Sequence, residues 1–140
     1  MAINDDQDIR QLLGQPRRIA VVGASPNPAR PSNGVLAFLI AQGHDVIAVN
    51  PGHAGSTIHG APVVATLANV EPPAEIVDIF RNSADAGGAV DEAIVHGAKA
   101  VWLQIGVIDE AAAKRAEAAG LTVVMDRCPK IEIPRLGLLR

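Results

Sequence analysis

Five short, mostly apolar runs constrain the fold of this chain more than any other feature. Most of their residues are β-branched or aliphatic and stand in consecutive positions, at 18–23, 46–49, 75–79, 99–103 and 121–125. Such runs are typical of strands buried on both faces of a parallel sheet. Helical segments are predicted around them, each of the last three ending close to a glycine, at 5–14, 33–43, 84–96 and 109–119.

This alternation predicts a doubly wound, Rossmann-like α/β domain. We expect a five-stranded, mainly parallel sheet of order 3-2-1-4-5 with helices on both faces. A chain of 140 residues without a linker is the size of one domain, so residues 1–140 are expected to form a single unit. The Gly- and Pro-rich connection 51–73 is predicted to hold only a short helical turn near 66–69.

Composition excludes several classes of partner. A net charge of −3 gives no electrostatic footprint for duplex DNA or an anionic membrane, and three aromatic residues are few for stacking bases. We therefore expect no nucleic-acid or membrane partner. Cys128 is the sole cysteine, which rules out an intrachain disulfide, and no signal-peptide pattern opens the chain. These features favour a cytoplasmic protein.

The first predicted strand leads into a turn suited to an anion, in the stretch IAVVGASPNPARPSNGVLAFL. Gly23 permits close backbone approach, and the following helix directs its positive end at whatever lies above it. Ser25 and Ser32 add hydroxyl donors and Arg30 adds a planar cation. The alternative interpretation is that Gly23 makes a tight turn, Ser32 caps the helix and Arg30 is solvated.

Two features distinguish this turn from an NAD site. Ser25 and Pro26 stand where further fingerprint glycines would be, and Asn50-Pro51 stand where an acidic residue would hold a ribose 2′-hydroxyl. A nucleotide with a phosphate on its ribose would meet no repelling carboxylate there. Both coenzyme A and NADP satisfy that condition.

The carboxyl ends of all five predicted strands carry polar or backbone-exposing residues. In a doubly wound sheet, ligands bind at this edge. The segments concerned are Gly23-Ala24-Ser25, Asn50-Pro51, Phe80-Arg81, Gln104-Ile105-Gly106 and Asp126-Arg127-Cys128.

Several blocks of the sequence carry a family resemblance: IAVVGASPNPARPS, VIAVNPGHAG, EIVDIFR and the long block at 97–132. Over nearly its whole length the chain resembles stand-alone CoA-binding domain proteins, which are similar to the CoA-binding domain of the succinyl-CoA synthetase alpha subunit. The resemblance implies that coenzyme A or an acyl-CoA is the small-molecule ligand. It also implies the binding residues: Gly23, Ala24, Ser25 and Arg30 at phosphates, with Ser32 and Asn33 at the helix N-terminus; Asn50 and Pro51 at the nucleoside; Phe80 and Arg81 in the cleft; and Gln104, Ile105, Gly106 and Val107 along the pantetheine arm. Cys128 is added as a candidate binding residue because it follows the last predicted strand at the same edge of the sheet.

No catalytic constellation stands out. Cys128, beside Arg127 and Lys130, is either a redox-sensitive thiolate or, as we favour, a small buried side chain. Asp126 is a candidate general base, but pairing with Arg127 or capping the next segment is the preferred interpretation. The four histidines lack metal-ligand spacing. The family often carries a histidine just after Glu132, whereas this chain continues with Ile133 and Pro134.

We therefore expect a non-catalytic carrier, sensor or regulatory module for CoA. Two alternatives stay open: a subunit of a CoA-thioester enzyme that needs a partner, and an NAD(P)-binding redox sensor. An exposed apolar helix face could support a homodimer.

Overall fold

The computed structural model describes residues 3–140, which form a seven-stranded sheet and five α-helices. The strands are β1 (Arg18–Val22), β2 (Asp45–Val49), β3 (Thr57–Ile58), β4 (Ala61–Val64), β5 (Ile76–Ile79), β6 (Ala100–Leu103) and β7 (Thr122–Val124). The helices are α1 (Asp6–Leu13), α2 (Pro31–Ala41), α3 (Ser83–His96), α4 (Glu110–Ala118) and α5 (Pro129–Arg135). Among the described residues, no helix is both long and apolar enough to cross a membrane.

The strand order is β3-β4-β2-β1-β5-β6-β7, with β3–β4 antiparallel and every other pair parallel. The five predicted runs all form strands, but the predicted five-strand order 3-2-1-4-5 is wrong. The third predicted run is β5, which pairs with β1 on the side away from β2, with Ile19 opposite Ile76. The place beside β2 belongs to β4.

The two strands that the sequence did not predict, β3 and β4, lie in the connection 51–73. It contains the hairpin β3–β4, in which Thr57 pairs with Pro62 and Ile58 with Ala61. These strands are too short to show a period, and Pro62 in a run normally argues against a strand. With β4 included, the six parallel strands follow the order 3-2-1-4-5-6 that is common in doubly wound sheets. The predicted helical turn is confirmed at Leu67–Asn69.

Each central strand sends alternate side chains to two separate cores. On β1, Ile19 and Val21 pack with α1, α2 and α5, whereas Ala20 and Val22 pack with α3 and α4. Helices therefore cover both faces of the sheet, as predicted. This two-sided burial explains why the runs read as continuous apolar stretches.

The helix ends differ in detail from the prediction. Helix α2 begins at Pro31 with Arg30 as its N-cap residue, so Ser32 lies inside the first turn and does not cap it. Asp109 does cap α4, its carboxylate accepting from the Ala112 N–H over 3.0 Å. Helix α5, which the sequence did not predict, starts with proline at its first position directly after Cys128.

Candidate functional site

A cavity of about 670 Å³ opens at the carboxyl edge of the sheet, a size ordinary for a cofactor site. It lies beyond the carboxyl ends of β1 and β5, two neighbouring strands between which the strand order reverses. Doubly wound sheets bind ligands at such a switch point. Segments after five different strands bring most of the predicted site residues together around it: Gly23, Ala24, Ser25, Arg30, Ser32, Asn50, Phe80, Arg81, Gln104, Ile105, Val107 and Cys128.

Three predicted residues do not line the cavity: Asn33, Pro51 and Gly106. Two residues that the sequence reasoning missed do line it, Pro31 and Val35. Helical spacing could have identified Val35, because it lies three and four positions after Ser32 and Pro31 and so shares their face of α2.

Gly23 is required by the packing of the strand ends. Its φ is +84°, and a Cβ there would overlap the carbonyl oxygen of Phe80. The Gly23 N–H donates to the Val49 carbonyl over 3.1 Å. The ends of β1, β2 and β5 can therefore approach only because residue 23 lacks a side chain.

Two side-chain amides support the turn after Gly23, those of Asn50, which lines the cavity, and Asn33, which does not. Asn50 Nδ2 donates to the Ala24 carbonyl over 2.8 Å, and Asn33 Nδ2 donates to the Ser25 carbonyl over 3.0 Å. Asn33 Oδ1 lies 2.7 Å from Nε2 of His59, in the β3–β4 turn. The N–H groups of Ala24 and Ser25 donate to no residue within 3–140. The carbonyls of Ala24 and Ser25 thus accept hydrogen bonds, while their N–H groups are available to a ligand, as in anion-binding turns.

Arg30 and Arg81 are the two exposed cations that line the cavity. Neither guanidinium forms a hydrogen bond or ion pair with any residue of the described chain. All other arginines donate to a carbonyl or carboxylate: Arg10, Arg17, Arg18, Arg115, Arg127, Arg135 and Arg140. The uncommitted guanidinium groups are therefore concentrated at this cavity.

The N-terminus of α2 adds to the positive potential at the cavity. Pro31 and Ser32 of its first turn line the wall, no side chain caps this end, and its first turn holds no acidic residue. The helix dipole there favours an anion. We call the part of the cavity formed after β1 and β5, with Arg30 and Arg81, the cationic side.

The segments after β6 and β7 form the apolar side, defined by Ile105, Val107 and Cys128. Asp126 and Ser83 hold the loop after β6 in place from outside. Asp126 Oδ1 accepts from the Gly106 N–H over 2.7 Å, and Ser83 Oγ accepts from the Ile108 N–H over 3.0 Å. Asp126 adopts a positive φ of 60°, which turns its carboxylate towards this loop. The preferred pairing of Asp126 with Arg127 is wrong for the side chain, since Arg127 Nη1 donates to the Asp126 backbone carbonyl.

Asp78 is a buried carboxyl group beneath the cavity floor. It lies in the middle of β5, is 1% exposed, and accepts from Gln104 Nε2 over 2.7 Å. Burial raises the pKa of Asp78 from 3.8 to about 7, and the Gln104 hydrogen bond offsets only part of that rise. The sequence did carry a signal for this residue: an acid inside the otherwise apolar strand IVDI.

Cys128 borders the cavity as a half-buried thiol. Burial raises its pKa above the ordinary value, and the nearby Asp78 charge acts in the same direction. The net shift is opposite to the one that an activated thiolate at Cys128 would require. The Arg127 guanidinium is engaged elsewhere, with Nε 3.6 Å from Glu132 Oε1. Cys128 is thus a weak nucleophile at neutral pH.

Comparison with known proteins supplies the decisive observation, because the sequence profile of the CoA binding domain matches residues 17–134. The chain belongs to the CoA binding domain family. It is 35% identical over 127 residues to the uncharacterized protein YneT of Bacillus subtilis, an alignment that covers 89% of this chain and 90% of YneT.

Solved structures of similar sequence share the whole fold. A hypothetical protein from Pyrococcus horikoshii OT3 superposes with a TM-score of 0.88 at 35% identity, covering 97% of this chain and 96% of that one. A protein of Thermus thermophilus, cell-free ID.343, gives 0.88 at 36% identity over 94% and 98% of the two chains. The CoA binding domain family match spans β1 to α5, and thus every strand that borders the cavity.

Proposed function

We propose that this protein binds coenzyme A or an acyl-CoA in the cavity at the carboxyl edge of its sheet. It acts there as a non-catalytic carrier, sensor or regulatory module, in the cytoplasm, with the whole chain serving as one CoA-binding domain. One observation carries the proposal: in a member of the CoA binding domain family, the two arginines that have no side-chain partner among residues 3–140 both line this cavity.

The cationic side suits the phosphates of CoA. Arg30 and Arg81 can each make charge-assisted hydrogen bonds to phosphate oxygens, and the free N–H groups of Ala24 and Ser25 can complete the cradle. Asn50, whose Nδ2 is engaged with the Ala24 carbonyl, lines the cavity, and we expect the nucleoside beside it. Among residues 3–140, no carboxylate lines the cavity to repel a ribose phosphate.

The apolar side suits the pantetheine arm and an attached acyl group. Gln104 offers an amide to that arm, while Ile105 and Val107 offer apolar surface. The thiol end would lie towards Cys128. The raised pKa of Cys128 and the engagement of Asp126 with Gly106 support a binding role rather than nucleophilic or general-base catalysis at these two groups.

The test is calorimetric titration of the purified protein with CoA, dephospho-CoA and NADPH. We expect saturable binding of CoA, weaker binding of dephospho-CoA because a phosphate contact is lost, and the weakest binding of NADPH. Tighter binding of NADPH than of CoA would favour the redox-sensor alternative. No heat and no thermal stabilisation with CoA would overturn the proposal.

Arginine variants connect the binding to the cavity. Arg30→Ala and Arg81→Ala should each weaken CoA binding about tenfold or more, since a hydrogen bond to a charged group contributes about 1.5–3 kcal/mol. The matched control is Arg115→Ala, which removes an arginine paired with Asp91 Oδ1 at 2.9 Å outside the cavity. CoA affinity should be unchanged in the control, and an unchanged affinity in both cavity variants would show that CoA binds elsewhere.

A further inference from the structure

Asp78 and Gln104 form a buried polar pair next to the apolar side of the cavity. Gln104 Nε2 donates to Asp78 Oδ1 over 2.7 Å, and both residues are more than nine-tenths buried. Asp78 Oδ2 has no hydrogen-bond partner among the described residues. Burying a carboxyl group with one unsatisfied oxygen lowers the stability of the folded state, so its presence here calls for an explanation.

The Gln104 amide presents one end to Asp78 and the other to the cavity. Its Nε2 is engaged with Asp78, while its Oε1 accepts no hydrogen bond from residues 3–140. Gln104 lines the cavity, so Oε1 is the atom available to a ligand. An ionised carboxylate can only accept hydrogen bonds, which means that an ionised Asp78 keeps the amide in this orientation.

Protonation of Asp78 should favour the opposite orientation of the Gln104 amide. The neutral acid carries an O–H donor, and a buried donor without an acceptor is unfavourable. Rotating the Gln104 amide by half a turn lets Oε1 accept that proton and directs Nε2 at the cavity. The two protonation states of Asp78 therefore offer a ligand opposite hydrogen-bonding atoms, an acceptor or a donor.

We propose that Gln104 is a specificity-determining residue that accepts an amide N–H of the pantetheine arm, and that Asp78 is its positioning residue, holding the acceptor towards the cavity only while ionised. This inference rests on the proposed CoA-binding function. It predicts that CoA binds more tightly after Asp78 has lost its proton.

The surroundings of Asp78 leave few other groups to account for such a pH dependence. The residues that line the small void beside Asp78 are all apolar: Leu13 of α1, Ile19 of β1, Leu39 of α2, Ile76 of β5, Trp102 of β6 and Pro129 of α5. No charged side chain of the described chain contributes to the pKa shift of Asp78. Cys128 is a titratable group whose pKa the Asp78 charge raises, while the Lys130 charge has a smaller, opposite effect at the same thiol. With its raised pKa, Cys128 stays neutral through the neutral range, whereas burial brings the pKa of Asp78 to about 7.

The experiment measures the dissociation constant of CoA between pH 6 and pH 8 for the wild type, Asp78→Asn and Asp91→Asn. Asparagine at 78 does not titrate, so its hydrogen-bonding atoms towards Gln104 are the same at every pH and the variant serves as the pH-independent reference. Because phosphate groups also titrate near pH 6, each wild-type value is divided by the Asp78→Asn value at the same pH. We expect the wild type to be about three- to tenfold weaker at pH 6 than at pH 8 on this ratio, the effect of one hydrogen bond. Asp91→Asn, at the surface pair with Arg115, should follow the wild type.

A second variant, Gln104→Met, removes the amide and keeps Asp78, and it carries the test if Asp78→Asn does not fold. Its CoA affinity should be low at pH 8 and should lack the Asp78-linked pH dependence. A wild-type profile parallel to Asp78→Asn, or tighter binding at pH 6, would overturn this inference alone. Absence of CoA binding by the folded wild type at every pH would overturn the proposed function as well.

Discussion

The two sides of the cavity hold their ionisable groups in opposite ways. On the cationic side, Arg30 and Arg81 are exposed and unpaired within the described chain. Next to the apolar side, Asp78 is fully buried and has a single hydrogen-bond partner, Gln104. Water can solvate the exposed arginines, whereas burial favours the neutral form of the carboxyl group.

This difference separates groups that bind from groups that organise. An exposed arginine without a partner contributes little to folding and can be removed with little effect on stability. A buried carboxyl group affects folding whenever it ionises. Substitutions on the cationic side should therefore change the affinity for CoA rather than stability. Gly23 is the exception, because its substitution should lower stability. Substitution of Asp78 should change the pH dependence of stability.

Substitution of Gly23 should have the largest effect on stability, because this position of the cationic side is closely packed. Gly23→Ala places a Cβ against the Phe80 carbonyl and forces a positive φ on alanine. We expect a loss of several kcal/mol in the free energy of unfolding, measured by urea denaturation.

The matched control for Gly23 is Gly43→Ala. Gly43 has nearly the same φ, +88°, but nothing lies within 4 Å of its added Cβ. This variant should lose only the backbone cost of about 1–2 kcal/mol. Equal losses in the two variants would show that the contact with Phe80 is relieved by a small movement of the turn.

Asp78→Asn should give the next largest effect, and the effect should depend on pH. The pKa of Asp78 is about 7 in the folded protein and 3.8 when unfolded, so the folded state binds the proton more tightly. Wild-type stability should therefore fall, relative to Asp78→Asn, as pH rises from about 4 to about 7 and level off above that. The upper limit of this change is about 4 kcal/mol, from roughly three pKa units.

Comparing the two proteins at each pH also removes the opposite effect of His44. Burial lowers the pKa of His44 from 6.5 to about 4, so His44 contributes stability that is lost as pH falls through that range. Both proteins retain His44, and its effect cancels in the difference. A constant difference in unfolding free energy between pH 4 and pH 8, measured by urea denaturation, would contradict the burial of Asp78 as a titrating group.

The fold was predictable where the sequence repeats a pattern and unpredictable where contacts decide. Five strands followed from two-sided burial, which is a local property of their composition. β4 pairs with the edge of β2 through residues 63 and 64, and β3 pairs with β4, and no local period signals either pairing. Helix α5 was also not predictable from local pattern, because it has only seven residues and two of them are Pro129 and Pro134.

The site shows the same division. The strand ends were predictable because parallel strands bring their carboxyl ends to one edge. Which arginines lack partners was not predictable, because those partners are distant along the chain. Arg135, for example, pairs with Asp6, and Arg140 donates to the Leu13 carbonyl. Only the folded chain shows that Arg30 and Arg81 are left over.

The smallest expected effect concerns the apolar side and distinguishes acyl-CoA from CoA. Ile105 lines the cavity and is 58% exposed, so its side chain is accessible to a ligand. Ile105→Ser should weaken octanoyl-CoA binding more than CoA binding, by about 1 kcal/mol or less, because part of one side chain's burial is lost. The control is Ile108→Ser, which removes an exposed isoleucine of the same loop that does not line the cavity. Calorimetry with both ligands should show a difference only for Ile105→Ser, whereas equal weakening of CoA and octanoyl-CoA would place the acyl chain away from the apolar side.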